Sequence, residues 1–433
     1  MKIRAFVVLI LVACGILATA FYVNANRVSA GEKAIIEAIQ TRNTPLLIQS
    51  LIKQMNEQME KDTESLPELI KEVEKYTQAC TDSTGVAVLH SMIAQMYDSY
   101  YNNNRWKINQ RTNLEGYVPE DIREWTTNLF QDKIKSELTA SLQPAGLLQE
   151  TPVSRFDAVL TKGKDSPELR PTLYDFLAFR AINIQPSAEW YNALLTFRRT
   201  QTNTKALVMD ELDWFNFYYS DKPAQSSEYL SKLDSLFKQY EKEPFAAEIC
   251  IARLQVLQSQ SYRGTPEQND SIKGLIYSTC KECIARYPKY ERISSVKNML
   301  TSLENPQLRT QAGHNIYPGK NLSIQIQYQN TPKLIVRIYQ SLRQPELAWK
   351  NYPKNQKQRG KLLKETVYNL PLKNSYTQND TTLTIPMEQL GLYEYTVSTP
   401  DNNLETSARF SVSRLGILTR GQNNGTTDVL VTD

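Results

Sequence analysis

From about Glu32 to Asn305 the apolar positions recur at helical spacing, glycine is scarce, and prolines fall mainly between the periodic runs. Residues that return every three to four positions line one face of a helix, so this stretch reads as all-α. Leu69, Val73, Tyr76 and Cys80 form one stripe in Leu66–Cys80, and Leu89, Ile93, Met96 and Tyr100 form another in Val86–Tyr101. Each stripe must bury against another helix. Further helices are predicted over Ile122–Leu142, Leu173–Ile184, Ser187–Thr200, Ala206–Tyr219, Ser226–Tyr240, Pro244–Ser261, Asn269–Tyr287 and Glu291–Leu303. The last four form a weak repeat, with Tyr240 and Tyr287 at equivalent places and a proline-marked turn after each. That is the helix-hairpin pattern of TPR-like or HEAT-like arrays.

Near Thr310 the period switches from 3.6 to 2. Leu322, Ile324, Ile326 and Tyr328 alternate with polar residues, and Leu334–Tyr339 follows the Asn330-Thr331-Pro332 turn. With Leu363–Leu370, Thr381–Ile385, Tyr393–Val397 and Ala408–Val412 this gives six short strands, enough for a small antiparallel β-sandwich of immunoglobulin-like type. The expected organisation is multi-domain, α then β: residues 1–30 a targeting segment, 31–308 the helical hairpin array, 309–420 the sandwich, 421–433 a linker and one more strand. That strand, Thr427–Thr432, follows the polar linker Gly421–Gly425 and has no partner in sight, so it reads as the opening strand of a further domain. A loop from Ser341 to Lys361 carries Arg343, Lys350, Lys354, Lys357, Arg359 and Lys361. It is either a docking site for an acidic partner or a solvated insertion.

The first thirty residues separate from the rest. Lys2 and Arg4 precede an apolar stretch from Ala5 to Phe21, and small-residue cleavage sites follow at Val23-Asn24-Ala25 and Val28-Ser29-Ala30. This is the pattern of an export signal, and the stretch is short of the roughly 20 residues that span a bilayer. The expected location is the periplasm or cell envelope. Leu11-Val12-Ala13-Cys14 also has the form of a lipobox, which makes Cys14 a candidate for acylation and, with an uncleaved signal, a route to membrane anchoring.

Charge removes one class of partner. The chain has 50 Lys and Arg against 46 Asp and Glu, a formal charge of +4, which falls to +1 once Lys2, Arg4 and Arg27 leave with the signal. No dense basic field exists for nucleic acid. Two histidines, His90 and His314, are too few for a His-rich metal site, and five cysteines are too few for a disulfide scaffold.

The chemical motifs are sparse. Cys280-Lys281-Glu282-Cys283 is the only CxxC; it falls within a predicted helix and lacks the second ligand pair of a zinc site, so two small buried side chains, or an adventitious disulfide, are expected. No GxSxG, HExxH, P-loop or GxGxxG occurs, and neither histidine has a sequence-near cysteine, serine or carboxylate in a recognisable catalytic arrangement. Glu120-Asp121 and Asp210-Glu211 with Asp213 read as first-turn acids and solvated helix faces. Tyrosine is abundant, 24 copies, clustered at Tyr97, Tyr100 and Tyr101 and at Tyr218 and Tyr219 near Trp214, where packing between hairpins competes with sugar stacking. No catalytic, cofactor or metal residues are assigned, and no enzymatic activity is expected.

Several strings nevertheless go together. Leu89-His90-Ser91-Met92 runs on to Tyr100-Tyr101 and Asn104-Arg105-Trp106. Asp121-Ile122-Arg123 with Trp125 follows, then Arg170-Pro171-Thr172-Leu173-Tyr174-Asp175-Phe176-Leu177 with Arg180-Ala181. In order and spacing these resemble the helical N-terminal region of bacterial alpha-2-macroglobulin-like proteins. Tyr328, Asn330, Leu334–Tyr339, Gly391-Leu392-Tyr393 and Phe410-Ser411-Val412 are similar to that family's first macroglobulin-like domain. The resemblance implies a protease-trapping protein in which a cut bait segment exposes a cysteine–glutamine thioester. This sequence departs from it: no Cys-Xaa-Glu-Gln occurs and no bait region is identifiable. The expectation is a non-enzymatic N-terminal piece, truncated or one of a split pair. It would act as a scaffold whose partners are proteins: proteases or a downstream macroglobulin-like chain. The alternative is an exported envelope module that holds a polypeptide or glycan in its helical groove.

Overall fold

The computed structural model describes residues 30–62, 64–112, 116–261, 265–341, 359–422 and 425–432. Cys14 and the rest of residues 1–29, where an export signal is expected, lie outside the described residues, as do Arg343, Lys350, Lys354 and Lys357 of the basic loop. Fourteen α-helices among the described residues are followed by antiparallel and mixed β-strands, so the α-then-β order is as expected. The chain divides into two compact units, residues 1–225 and 226–433.

The first unit holds α1 (Ala30–Gln40), α2 (Thr44–Lys61), α3 (Leu66–Ala79), α4 (Ser83–Ile108), α5 (Thr127–Ser141), α6 (Ala145–Glu150), α7 (Ser166–Leu169), α8 (Leu173–Ile184), α9 (Ala188–Arg198) and α10 (Thr204–Tyr219). Their ends are written in the sequence. Asn43 caps α2 by accepting from Leu46 N at 3.2 Å, and Asp82 caps α4 by accepting from Thr84 N at 3.1 Å. Thr172 and Asp175 form a reciprocal capping box on α8. Each such oxygen satisfies an amide that the helix itself leaves unpaired. Successive helices pack on one another, α1 on α2, α3 on α4, α4 on α5, α8 on α9 and α9 on α10, while α4 also meets α8. One apolar core runs through them, from Ile35 to Phe197.

One predicted helix is interrupted. Ile122–Leu142 is a single 3₁₀ turn at Ile122–Glu124 and then α5, with Trp125 and Thr126 extended between them. The Trp125 ring stacks on Tyr97, 5.5 Å between centroids, and its Nε1 donates to Pro119 O at 2.8 Å, which fixes the break.

The second unit begins with α11 (Ser226–Tyr240), α12 (Ala246–Gln260), α13 (Pro266–Arg286) and α14 (Ile293–Glu304), each packed on the next. Ten strands follow among the described residues: β1 (Gln307–Ala312), β2 (Asn315–Ile316), β3 (Lys320–Gln329), β4 (Lys333–Gln340), β5 (Leu362–Asn369), β6 (Asn379–Met387), β7 (Gly391–Ser398), β8 (Glu405–Val412), β9 (Gly416–Gly421) and β10 (Thr427–Thr432). One sheet has the order β1-β3-β6 and the other β2-β8-β7-β4-β5; pairings are antiparallel except β2 with β8. Leu322, Ile324, Ile326 and Tyr328 of β3 share a core with Val336 of β4, Tyr395 of β7 and Phe410 of β8, so the predicted alternation does put one face inside. The chain crosses from one sheet to the other at Asn330, whose φ of 50° is a left-handed conformation that asparagine tolerates well.

The expected division at 308/309 lies inside this second unit. Gln329 Nε2 donates to Leu303 O at 2.6 Å and Asn330 Nδ2 to Glu304 O at 2.7 Å, satisfying carbonyls at the end of α14. Tyr277 of α13 packs on Tyr376, 5.0 Å between centroids. The expectation of an unpaired Thr427–Thr432 is corrected: β10 pairs antiparallel with β9, a strand that the sequence reading had not marked. The two form a separate ribbon whose Leu418, Val429, Leu430 and Val431 are exposed.

Candidate functional site

One charged constellation is buried inside the first unit. Asp210 of α10 accepts from Arg170 Nη2 through Oδ1 and from Arg198 Nε through Oδ2, both at 2.7 Å. Arg198 Nη1 lies 2.8 Å from Asp175 Oδ1, and both guanidinium groups donate to Leu169 O. Asp175 Oδ2 accepts from Thr172 N at 2.9 Å and from its hydroxyl at 2.8 Å. The Arg170 guanidinium sits 4.4 Å over the Phe179 ring. All four charged residues are at most 3% exposed, so two cations and two anions form a neutral set away from water. Burial pushes the Asp175 carboxyl above its ordinary value, against the pull of Arg198 and the Thr172 hydrogen bonds.

Asp210 therefore corrects the reading of Asp210-Glu211 as a solvated face. Its counter-charges come from positions 40 and 12 residues away, which local pattern cannot supply. Nearby, Arg180 donates from Nε to Ser91 Oγ at 2.8 Å and from Nη2 to Ser91 O at 3.4 Å, and burial pushes its pKa down to about 10. Ser91 and Arg180 belong to two of the strings that carry the family resemblance. They meet 89 residues apart.

A second constellation faces solvent. His90 Nδ1 is 2.6 Å from Glu137 Oε2, Lys133 Nζ bridges Glu137 Oε1 at 2.8 Å and Glu74 Oε1 at 2.9 Å, and Tyr97 OH donates to Glu74 at 3.1 Å. The His90 side chain is 26% exposed and that of Glu137 9%, so one edge is wet. Burial raises the Glu137 carboxyl, but the His90 and Lys133 hydrogen bonds outweigh it and hold the group below its usual range. Burial likewise works against the Lys133 ammonium, while its two carboxylates raise it above the ordinary lysine value. This His–Glu pair was not anticipated, because Glu137 lies 47 residues from His90. A signal existed: Glu137 stands on the buried stripe Phe130, Ile134, Leu138 of α5, and a carboxylate on an apolar stripe needs a partner. As arranged, the cluster ties α3, α4 and α5 by charge, and none of its members is a nucleophile beside a base.

Other expected residues are found apart from one another. Tyr97, Tyr100 and Tyr101 are buried and packed around Phe130, while Tyr218 is exposed beside a buried Tyr219. His314, assigned to a connection, lies between β1 and β2 with its carbonyl accepting from Ser411 N at 2.8 Å. Asp121 caps the 3₁₀ turn and pairs with Arg123, which reaches Glu68 at 2.8 Å. Arg359 is bound by Glu405 and Glu394 of its own unit. Cys280 and Cys283 are buried in α13, as read from sequence.

Open depressions among the described residues include two of similar size. One, of about 430 Å³, is lined by residues including Tyr117, Val118, Glu124 and Asp132. The other, of about 410 Å³, is lined by residues including Gln149, Tyr174, Asn192, Thr196, Phe197 and Thr200. Among the described residues no group of three or more His, Cys, Asp or Glu could hold a metal ion, and no helix is long and apolar enough to cross a membrane.

No protein-family model and no curated protein matches the chain. Among solved structures, the CARDB domain of a Pyrococcus furiosus protein, solved in complex with di-metal ions, is similar at 16% identity. The match covers 25% of this chain and 86% of that one, with a TM-score of 0.16.

Proposed function

We propose that the chain is a non-enzymatic scaffold corresponding to the N-terminal region of an alpha-2-macroglobulin-like protein, an exported hairpin array followed by a macroglobulin-like sandwich. The observation that carries this reading is where the resembling strings go. Arg170, Thr172 and Asp175 of the most specific string are spent on the buried charge network, and Ser91 and Arg180 on a second buried anchor. Residues used this way build a framework, and the covalent trap then belongs to a partner chain that carries the thioester.

Covalent trapping needs an acyl donor held against an incoming amine. The sequence has no Cys-Xaa-Glu-Gln to provide that donor. The test is to incubate the chain with methylamine and with a broad-specificity protease, alone and with a thioester-bearing macroglobulin-like chain. Alone, it should keep its mass under methylamine and give ordinary cleavage fragments. With the partner it should co-elute on size exclusion. A methylamine adduct with one new thiol on this chain overturns the reading, and so does failure to bind the partner. Export is checked by fractionation, and Cys14→Ser should release the protein from membranes only if Cys14 is acylated.

A second reading rests on the groove at Tyr174 and Phe197. Asn192 and Thr196 are exposed one helical turn apart on α9, and carboxamides and hydroxyls in one depression with the Tyr174 and Phe197 rings suit a polypeptide backbone or a glycan. Ala193→Trp would fill that groove, and loss of binding on a peptide or glycan array would favour this reading over the scaffold.

A further inference from the structure

The depression at α6, α8 and α9, where α6 and α9 both pack on α8, has no charged residue in its lining. Among the described residues no hydrogen bond engages the side chains of Gln149, Asn192 or Thr196, three of the polar groups that line it. Tyr174 stands out from these. It is 6% exposed, yet its hydroxyl meets no hydrogen-bond partner among the described residues. A phenol taken out of water ordinarily finds a partner, because an unmet polar group costs free energy. The hydroxyl is not sealed in the way the Trp190 indole N–H is, and the depression is the open side that Tyr174 lines. Burial, with the Asp175 charge nearby, raises its pKa, so the group stays protonated and offers a donor.

We propose that this depression holds an extended, uncharged segment of a polypeptide, an inference that deepens the second reading above and rests on it. Spacing and burial choose that occupant over a sugar. Asn192 and Thr196 stand four residues apart on one face of α9, a rise of about 6 Å, and groups on one edge of an extended chain recur about every 6.6 Å. A carboxamide and a hydroxyl at that interval meet successive backbone N–H and C=O groups of the segment. Sugar stacking needs an open aromatic face, whereas Tyr174 and Phe197 are each 6% exposed and packed edge-to-face on one another, 5.1 Å between centroids. The lining sets the charge of the ligand, since an ionised side chain entering it would find no counter-ion. The Tyr174 hydroxyl donates to a carbonyl of the bound segment. Thr200 takes no part, because its Oγ1 already donates to Phe197 O at 2.7 Å and accepts from Gln201 at 3.1 Å.

The full chain is applied to an array of short peptides built from uncharged residues and, in parallel, to an array of neutral oligosaccharides. Peptides that bind are then titrated as fluorescent probes. Their affinity should be indifferent to salt, because no ion pair forms. Tyr174→Phe should weaken binding about 2- to 10-fold, the worth of one neutral hydrogen bond, without lowering Tm, since that hydroxyl holds nothing in the free protein. Ala193→Trp should abolish binding by filling the depression. Binding of oligosaccharides without peptides overturns the polypeptide inference and leaves the groove as a binding site; binding of neither removes both. Peptide affinity unchanged in Tyr174→Phe, or a lowered Tm in that variant, also overturns the proposal.

Discussion

Replacing Asp210 with alanine removes one carboxylate and strands two guanidinium groups. Arg170 Nη2 and Arg198 Nε each lose a 2.7 Å partner in a site where all four charged residues are at most 3% exposed. Arg198 keeps Asp175 at 2.8 Å and the Leu169 carbonyl, whereas Arg170 keeps only Leu169 O and the Phe179 ring among its described contacts. Breaking a buried ion pair from one side costs about 3–5 kcal/mol, because the surviving charge stays out of water. In a unit of about 150–250 residues each kcal/mol moves Tm by about 2–4 °C, so the loss should be roughly 6–20 °C. Circular dichroism at the helix band on heating, together with urea unfolding, measures it, and a shifted urea midpoint at unchanged slope marks a change of stability alone. Glu189→Ala is the control: its 2.9 Å bridge to Lys135 joins side chains more than half exposed and should shift stability by no more than about 1 kcal/mol. Adding Arg170→Met to Asp210→Ala should recover part of the loss, since one stranded cation is gone. A loss under about 1 kcal/mol for Asp210→Ala, or no recovery in the double variant, would refute the reasoning that the network is a sealed and mutually dependent set.

Three further outcomes are expected. The Glu137 carboxyl is held below its ordinary 4.5, so it contributes stability that is present above that pH and lost as pH falls through its lowered folded value; Glu137→Gln should remove this part of the acid sensitivity, and parallel urea midpoints for variant and parent from pH 7 to pH 3 would contradict it. Gly85→Ala would place a methyl 1.9 Å from Thr44 Cγ2, and Thr44 cannot swing away without losing its 2.8 Å bond to Asp82, so overpacking of about 1–3 kcal/mol should exceed the usual helical gain from alanine. Thr44→Ser removes Cγ2 but leaves Cβ at 2.9 Å, so it should recover only part of the loss in a thermal melt, whereas a lone Gly146→Ala in α6, with nothing within 4 Å of the added carbon, should stabilise by up to about 1 kcal/mol.

The sequence by itself determined the order of α then β, most helix ends and the inward faces of the strands. Those properties depend on neighbours a few residues apart: the Thr172–Asp175 capping box, the apolar stripe of α3 and the alternation in β3 are all local. Asp175, Arg198 and Glu137 stand among buried apolar positions, but the sequence alone raised no expectation of partners for them. It could not say what answers them. Arg170 with Asp210, Ser91 with Arg180 and His90 with Glu137 are 40, 89 and 47 residues apart, and burial decides their charge state only once the helices have closed. The same holds for the strand at Thr427–Thr432, whose partner β9 carries little alternation, and for the ties from α13 and α14 to the strands that make residues 226–433 one compact unit. Pairing across long loops is a choice among many distant candidates, and only the packed chain makes it.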